Sequence, residues 1–182
     1  MVEQYQLKII GITETWGRPE IFDAEYHLAN FEMYRKNRIG SRGGGVLLYV
    51  HEPLTSVPCS ELNEFNFGES VWSIVKLHTT NLLVGLVYRS PKSDNTNNEK
   101  LLELLSLIRG KVKISNILIM GDFNLPEIDF NNYMVDCSEE SYAMRFFELS
   151  QDLFLKQVVQ ENTRHTYDTS EALKITLCVF AR

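Results

Sequence analysis

Two acidic residues stand where apolar runs of the chain end. Leu7 to Thr13 reads Leu-Lys-Ile-Ile-Gly-Ile-Thr and is followed at once by Glu14-Thr15-Trp16. Ile114 to Met120 is followed by Gly121-Asp122-Phe123-Asn124-Leu125-Pro126. Catalytic groups gather at strand ends because the sheet holds them rigidly while the next loop opens toward ligand. Asp122 and Asn124 are two apart, so an extended backbone puts their side chains on one face. A carboxylate beside an amide that both donates and accepts can orient a water or a phosphate oxygen. The bland alternatives are a solvated glutamate and an Asx turn that closes a strand.

A third strand end, Gly85-Leu86-Val87-Tyr88-Arg89-Ser90-Pro91, offers a phenol and a guanidinium, both able to hydrogen-bond phosphate oxygens. The alternative is a tyrosine that caps the core beside an arginine in water. Arg35, Lys36, Arg38 and Arg42 fall within eight positions of an otherwise acidic chain and lead into Gly43-Gly44-Gly45. This stretch reads either as a loop that contacts a phosphate backbone or as a solvated loop entering a strand. It lacks GxxxxGK[ST] and is not a P-loop. His27, His51, His78 and His165 show no metal-ligand spacing, and no GxSxG elbow is present. Cys59, Cys137 and Cys178 have no basic neighbourhood and give no nucleophile candidate.

The elements that must position these residues are short apolar runs separated by turn clusters. Strands are expected over Leu7–Thr13 (mostly buried), Gly45–Val50, Val71–Leu77, Leu82–Tyr88, Ile114–Met120 and Leu173–Phe180. His78-Thr79-Thr80-Asn81 reads as a hairpin turn. One helix is expected from an Asn98 cap through Leu101, Leu102, Leu105 and Ile108 to Gly110. A second is expected from a Ser138 cap, with Glu139 and Glu140 in its first turn and Tyr142, Phe146, Leu149 and Leu153 on its apolar face. Hairpin-linked strands with a few helices indicate an α/β or α+β sandwich rather than a pure βαβ repeat.

Composition bounds the answer. The chain has 182 residues, which suits one domain, and 44% hydrophobic with 23% charged residues permits a packed core. No apolar run approaches the roughly 20 residues that span a bilayer, and no signal peptide is read, so no membrane partner is expected. Three scattered cysteines without a CxxC pair fit an intracellular, reducing compartment, nuclear or cytoplasmic. A net charge of −6 argues against wholesale binding to nucleic acid but leaves room for a local basic patch or for a cation held by carboxylates.

Taken in order, ITETW, RGGGV-x-LYV, ESVW, GLVYRSP, GDFNLPEIDF and Asn162-Thr163-Arg164 resemble the endonuclease domain of non-LTR (LINE-type) retrotransposons. That domain lies within the endonuclease/exonuclease/phosphatase superfamily, which also includes the abasic-site endonucleases. Each motif alone is weak; six in order over nearly the whole chain are specific. The resemblance implies a four-layer sandwich of two mixed β-sheets flanked by helices, formed by residues 1–182 as a single domain. It implies Mg²⁺-dependent hydrolysis of a DNA phosphodiester, with Mn²⁺ as a possible substitute. The nick would expose a 3′-hydroxyl for a reverse-transcriptase domain in the full-length element. Glu14 matches the metal-binding glutamate, Tyr88 the tyrosine at the scissile phosphate, and Asp122 the aspartate that orients or deprotonates water. Asn124 matches the asparagine beside it, and Arg89 and Thr163 match positions near the DNA. A Glu/Asp/Asn set without a His/Cys cluster also suits Mg²⁺ better than Zn²⁺ on chemical grounds.

Two features of the family have no counterpart in this sequence. They are a first strand bearing an asparagine and a closing Ser-Asp-His motif, so the resemblance reads the chain as truncated at both ends and a very poor nuclease by itself. The competing readings are a phosphatase of another superfamily branch and a non-catalytic remnant that binds DNA weakly through Arg35, Lys36, Arg38 and Arg42.

Overall fold

Six consecutive residues, Val46–His51, form the centre of the first sheet. A computed structural model describes residues 6–110, 113–159 and 180–181, the last two by backbone alone. In chain order the elements are β1 (Ile9–Thr13), a 3₁₀ turn (Asp23–Tyr26), β2 (Phe31–Lys36), β3 (Val46–His51), β4 (Ser56–Pro58) and α1 (Ser60–Asn63). They continue with β5 (Ser70–Lys76), β6 (Asn81–Tyr88), α2 (Asn95–Gly110), β7 (Asn116–Asp122), β8 (Ile128–Asp129) and β9 (Met134–Val135). The last are α3 (Tyr142–Asp152), β10 (Lys156–Gln157) and β11 (Phe180–Ala181).

The first sheet has the order β1-β3-β2 and is antiparallel throughout. The second has the order β10-β11-β7-β6-β5-β4 and is mixed, because β6 and β7 run parallel while its other pairs are antiparallel. The parallel pair requires a crossover, and α2 supplies it. A small hairpin, β8-β9, lies outside both sheets.

Three apolar clusters define the layers. Val46, Leu48 and Val50 of β3 meet Val71, Val75, Val84, Leu86 and Tyr88 between the sheets. On the far side of the second sheet, Leu83, Val87, Ile117 and Ile119 pack against Leu101, Leu104, Leu105 and Ile108 of α2 and Phe146 of α3. On the outer face of the first sheet, Phe31, Leu47 and Tyr49 gather Ile10, Tyr26, Leu28 and Met33. The α/β sandwich expected from the sequence is the one observed.

Several boundaries shift for local reasons. β1 is not mostly buried: it sits at a sheet edge among the described strands, and Ile12 stays exposed. β2 was not anticipated, because Phe31, Met33 and Tyr34 are mixed with Glu32, Arg35 and Lys36 without the alternation that marks a strand. α2 begins at Asn95, where Asp94 caps it by accepting from the Asn97 amide at 2.8 Å, so Asn98 is not the cap. α3 is capped by Ser141, whose hydroxyl accepts from the Met144 amide at 3.1 Å; Glu139 and Glu140 precede the helix. The hairpin turn is as expected, with the Leu77 amide bonded to the Thr80 carbonyl at 2.8 Å. Most of the strand expected over Leu173–Phe180, and Thr163, lie outside the described residues. Among the described residues no helix is long and apolar enough to cross a membrane.

Candidate active site

Tyr88 ends β6 and Asp122 ends β7, and the parallel register sets the two side by side as partners. The Arg89 amide donates to the Asp122 carbonyl at 2.8 Å and carries this pairing one step past the sheet. Gly121 makes the exit possible. Its φ is +149°, and a Cβ there would lie 1.8 Å from the Val87 carbonyl oxygen, inside covalent-scale distance.

Glu14 reaches the same place from the other sheet. It follows β1 with φ +54°, and Trp16 adopts φ +53°, so two non-glycine residues in three are left-handed. Such strain persists only where surroundings hold it, and it clusters at functional sites. Here the Trp16 amide donates to the Gly44 carbonyl at 2.9 Å. The Tyr88 hydroxyl donates to Glu14 Oε1, which joins the two sheets at their shared end. Tyr88 is 2% exposed. Burial raises its phenol well above the ordinary tyrosine value, reinforced by the hydrogen bond to and charge of Glu14 and by Asp122, with Arg38 opposing. The phenol is therefore a hydrogen-bond donor at neutral pH.

Asn124 completes the group. Its φ is +50°, its amide donates to Asp122 Oδ1 at 3.2 Å, and its side-chain Nδ2 donates to the Arg89 carbonyl at 2.7 Å. Four of the residues proposed from sequence, Glu14, Tyr88, Asp122 and Asn124, thus meet at one end of the sandwich.

The proposed phosphate contacts distribute differently. Arg89 is 7% exposed and lies beneath the Asp122–Asn124 loop rather than at its surface. Its Nε donates to Asn98 Oδ1 at 2.8 Å, and its Nη1 donates to the carbonyls of Phe123 and Asn124 at 3.1 and 2.9 Å. A guanidinium committed in this way braces the loop and is not placed to grip DNA. Arg35 is bound to Asp23 at 2.5 Å, donates to the Ile21 carbonyl and covers the Tyr26 ring. Lys36 donates to the Phe67 carbonyl at 3.0 Å, and burial lowers its pKa. Arg38 makes a two-pronged pair with Glu69 at 3.1 and 2.8 Å. The reading of these four basic residues as one contact loop is corrected on this point: adjacent residues of β2 point to opposite sheet faces, and three of the four charges are taken up inside the fold. Arg42 is the member that stays exposed, with its guanidinium 5.1 Å from the centre of the Trp16 ring.

Two positioning residues were not singled out from sequence. Glu69 accepts from Arg38 and, at 3.0 Å, from the Gly45 amide, and its own carbonyl accepts from the Tyr88 amide at 2.9 Å. Its signal was the acid opening Glu69-Ser70-Val71-Trp72. Asn98, read as a helix cap, is the buried partner of Arg89.

The donors at the site are hard oxygens: two carboxylates, an amide and a phenol. They fit a cation such as Mg²⁺ that takes one or two carboxylates and keeps several waters. Among the described residues no three His, Cys, Asp or Glu side chains form a metal-binding group.

Residues 1–136 match the Endonuclease/Exonuclease/phosphatase family. The endonuclease domain of TRAS1, a telomere-specific non-LTR retrotransposon, is similar in structure at TM-score 0.64 and 12% identity, over 99% of this chain and 74% of that one. An AP endonuclease from Archaeoglobus fulgidus matches at TM-score 0.58 and 15% identity, over 99% and 78%. A mannosyl-6-phosphatase from Bacteroides thetaiotaomicron matches at TM-score 0.58 and 12% identity, over 100% and 73%. No curated protein sequence matches the chain.

Proposed function

This chain belongs to the Endonuclease/Exonuclease/phosphatase family, and within it we propose a metal-dependent DNA endonuclease of the LINE type. The observation that carries this reading is the Tyr88 hydroxyl bridging to Glu14 while Tyr88 stands in register with Asp122. That geometry brings two carboxylates and a neutral hydrogen-bond donor together at one end of the sandwich.

Glu14 would hold the divalent cation, Mg²⁺ or Mn²⁺, which when bound neutralises charge growing on the phosphodiester oxygens. Tyr88, kept protonated by burial and by Glu14, would turn its single O–H from Glu14 Oε1 to a non-bridging phosphate oxygen when substrate binds. Asp122 would accept a proton from the attacking water as that oxygen bonds phosphorus and the P–O3′ bond breaks, the released 3′-oxygen taking a proton from solvent; the Asn124 backbone amide that bonds Asp122 fixes the carboxylate's direction. Arg89 keeps the Asp122–Asn124 loop in place from beneath. In an element of the LINE type the nicked strand would then serve a reverse-transcriptase partner.

Conversion of supercoiled plasmid to open circles, with and without Mg²⁺, tests the proposal; Asp122→Ala and Glu14→Gln should both suppress the conversion. A second reading, hydrolysis of a small phosphate monoester, draws on the similarity to the mannosyl-6-phosphatase. Release of inorganic phosphate from a sugar phosphate, without plasmid nicking, would favour it.

A further inference from the structure

We infer that Trp16 and Arg42 form a stacking site for an unpaired nucleobase of the DNA strand, next to the cation site proposed at Glu14 and the phosphate contact proposed at Tyr88. This rests on the DNA reading above and names a contact that reading does not contain. Trp16 is 51% exposed, two residues beyond Glu14. An indole normally leaves water when the fold offers it a place. Here the backbone denies it one: Trp16 is fixed in a left-handed conformation by its amide bond to the Gly44 carbonyl, and Thr15 bonds Gly45. The same loop brings Arg42 over the ring at 5.1 Å. The result is an aromatic plane and a guanidinium plane, both open to solvent, anchored through Gly44 to the glycine-rich turn beside the site.

Such a pair suits a base whose faces are free. Every nucleobase has a π-face that stacks on an indole whatever its hydrogen-bonding edge, and a guanidinium adds cation–π attraction and a phosphate partner. Bases in an intact duplex are already stacked, so the site selects a base at an opened, flipped or single-stranded position. The other arginines near the site are committed: Arg38 to Glu69 and Arg89 to Asn98 and two carbonyls. Arg42 carries its charge at the surface.

The sequence contains two tryptophans, and Trp72 is fully buried, so quenching of tryptophan fluorescence by a base in contact reports Trp16. The full chain is titrated with oligothymidylate in the presence of a chelator, then with an abasic oligonucleotide of equal length and phosphate count. Saturable quenching by the first and none by the second is expected. Anisotropy with labelled oligothymidylate should show binding weakened by roughly tenfold in Trp16→Leu and less in Trp16→Phe. Arg42→Ala should weaken binding and lower its salt dependence. Equal quenching by the abasic strand, or unchanged affinity in a folded Trp16→Leu, would overturn the inference. Plasmid nicking without this quenching would reject the stacking site and leave the nuclease standing; quenching without nicking would do the reverse.

Discussion

Arg89 and Asn124 hold each other reciprocally: the Asn124 side-chain Nδ2 donates to the Arg89 carbonyl at 2.7 Å, and the Arg89 Nη1 donates to the Asn124 carbonyl at 2.9 Å. Two residues that lie just past the ends of parallel neighbouring strands therefore fix the loop between Asp122 and Asn124 from both sides. The Arg89 charge holds the loop's geometry rather than substrate, and burial, its largest influence, lowers its pKa.

Removing the charge should cost stability before it costs chemistry. Arg89→Ala leaves Asn98 Oδ1 and two carbonyls without their donor in a buried site and should destabilise the fold by about 3 kcal/mol. Arg89→Lys should recover little, because an ammonium lacks the planar fork that serves three acceptors at once. Urea unfolding midpoints check both.

Gly121→Ala should be at least as severe. The added methyl would lie 1.8 Å from the Val87 carbonyl, so β6 and β7 must part at the place where Tyr88 and Asp122 are registered. A loss of about 3 kcal/mol, at the upper end of overpacking costs, is expected from chemical denaturation.

The Arg38–Glu69 pair offers a test of sign. Glu69→Ala strands Arg38 and the Gly45 amide and should cost about 3 kcal/mol. Replacing both partners with apolar residues, Arg38→Met with Glu69→Leu, should cost less than Glu69→Ala alone, because no charge is then left uncompensated. A double variant weaker than the single one would contradict this.

Much of this was legible because the motifs encode strand ends. An apolar run ending in an acid forecast where Glu14 and Asp122 would sit, and the β6–β7 pairing then brought Tyr88 beside Asp122. The partners of the arginines were not legible. Nothing local distinguishes Arg89, whose acceptors lie 9, 34 and 35 positions away, from an arginine in water. β2 was missed for a related reason: Arg35 and Lys36 look like solvated residues until Asp23 and Phe67 come to meet them. Asn98 looked like a cap because a polar residue before an apolar helix face has that signature, and Asp94, four residues earlier, took the position instead.

Alkaline pH should weaken the fold. Burial raises the phenols of Tyr88 and Tyr142 above the ordinary tyrosine range. In the unfolded chain both ionise near pH 10. Above that pH the unfolded state has released protons that the folded state retains, so stability is fully present below about pH 10 and falls as pH rises through the folded values. Urea midpoints at about pH 9 and about pH 11 should bracket the onset of the fall, and Tyr88→Phe should flatten it.

The central claim is that Glu14, Tyr88 and Asp122 form one phosphodiester-cleaving centre. Its most direct test is the rate of Mg²⁺-dependent nicking of supercoiled plasmid by the wild-type chain, Glu14→Gln and Asp122→Ala, with folding of each checked by urea unfolding. The account predicts that Mg²⁺-dependent nicking by the wild-type chain is lost on chelation and in both variants. Equal rates in all three folded proteins would contradict it.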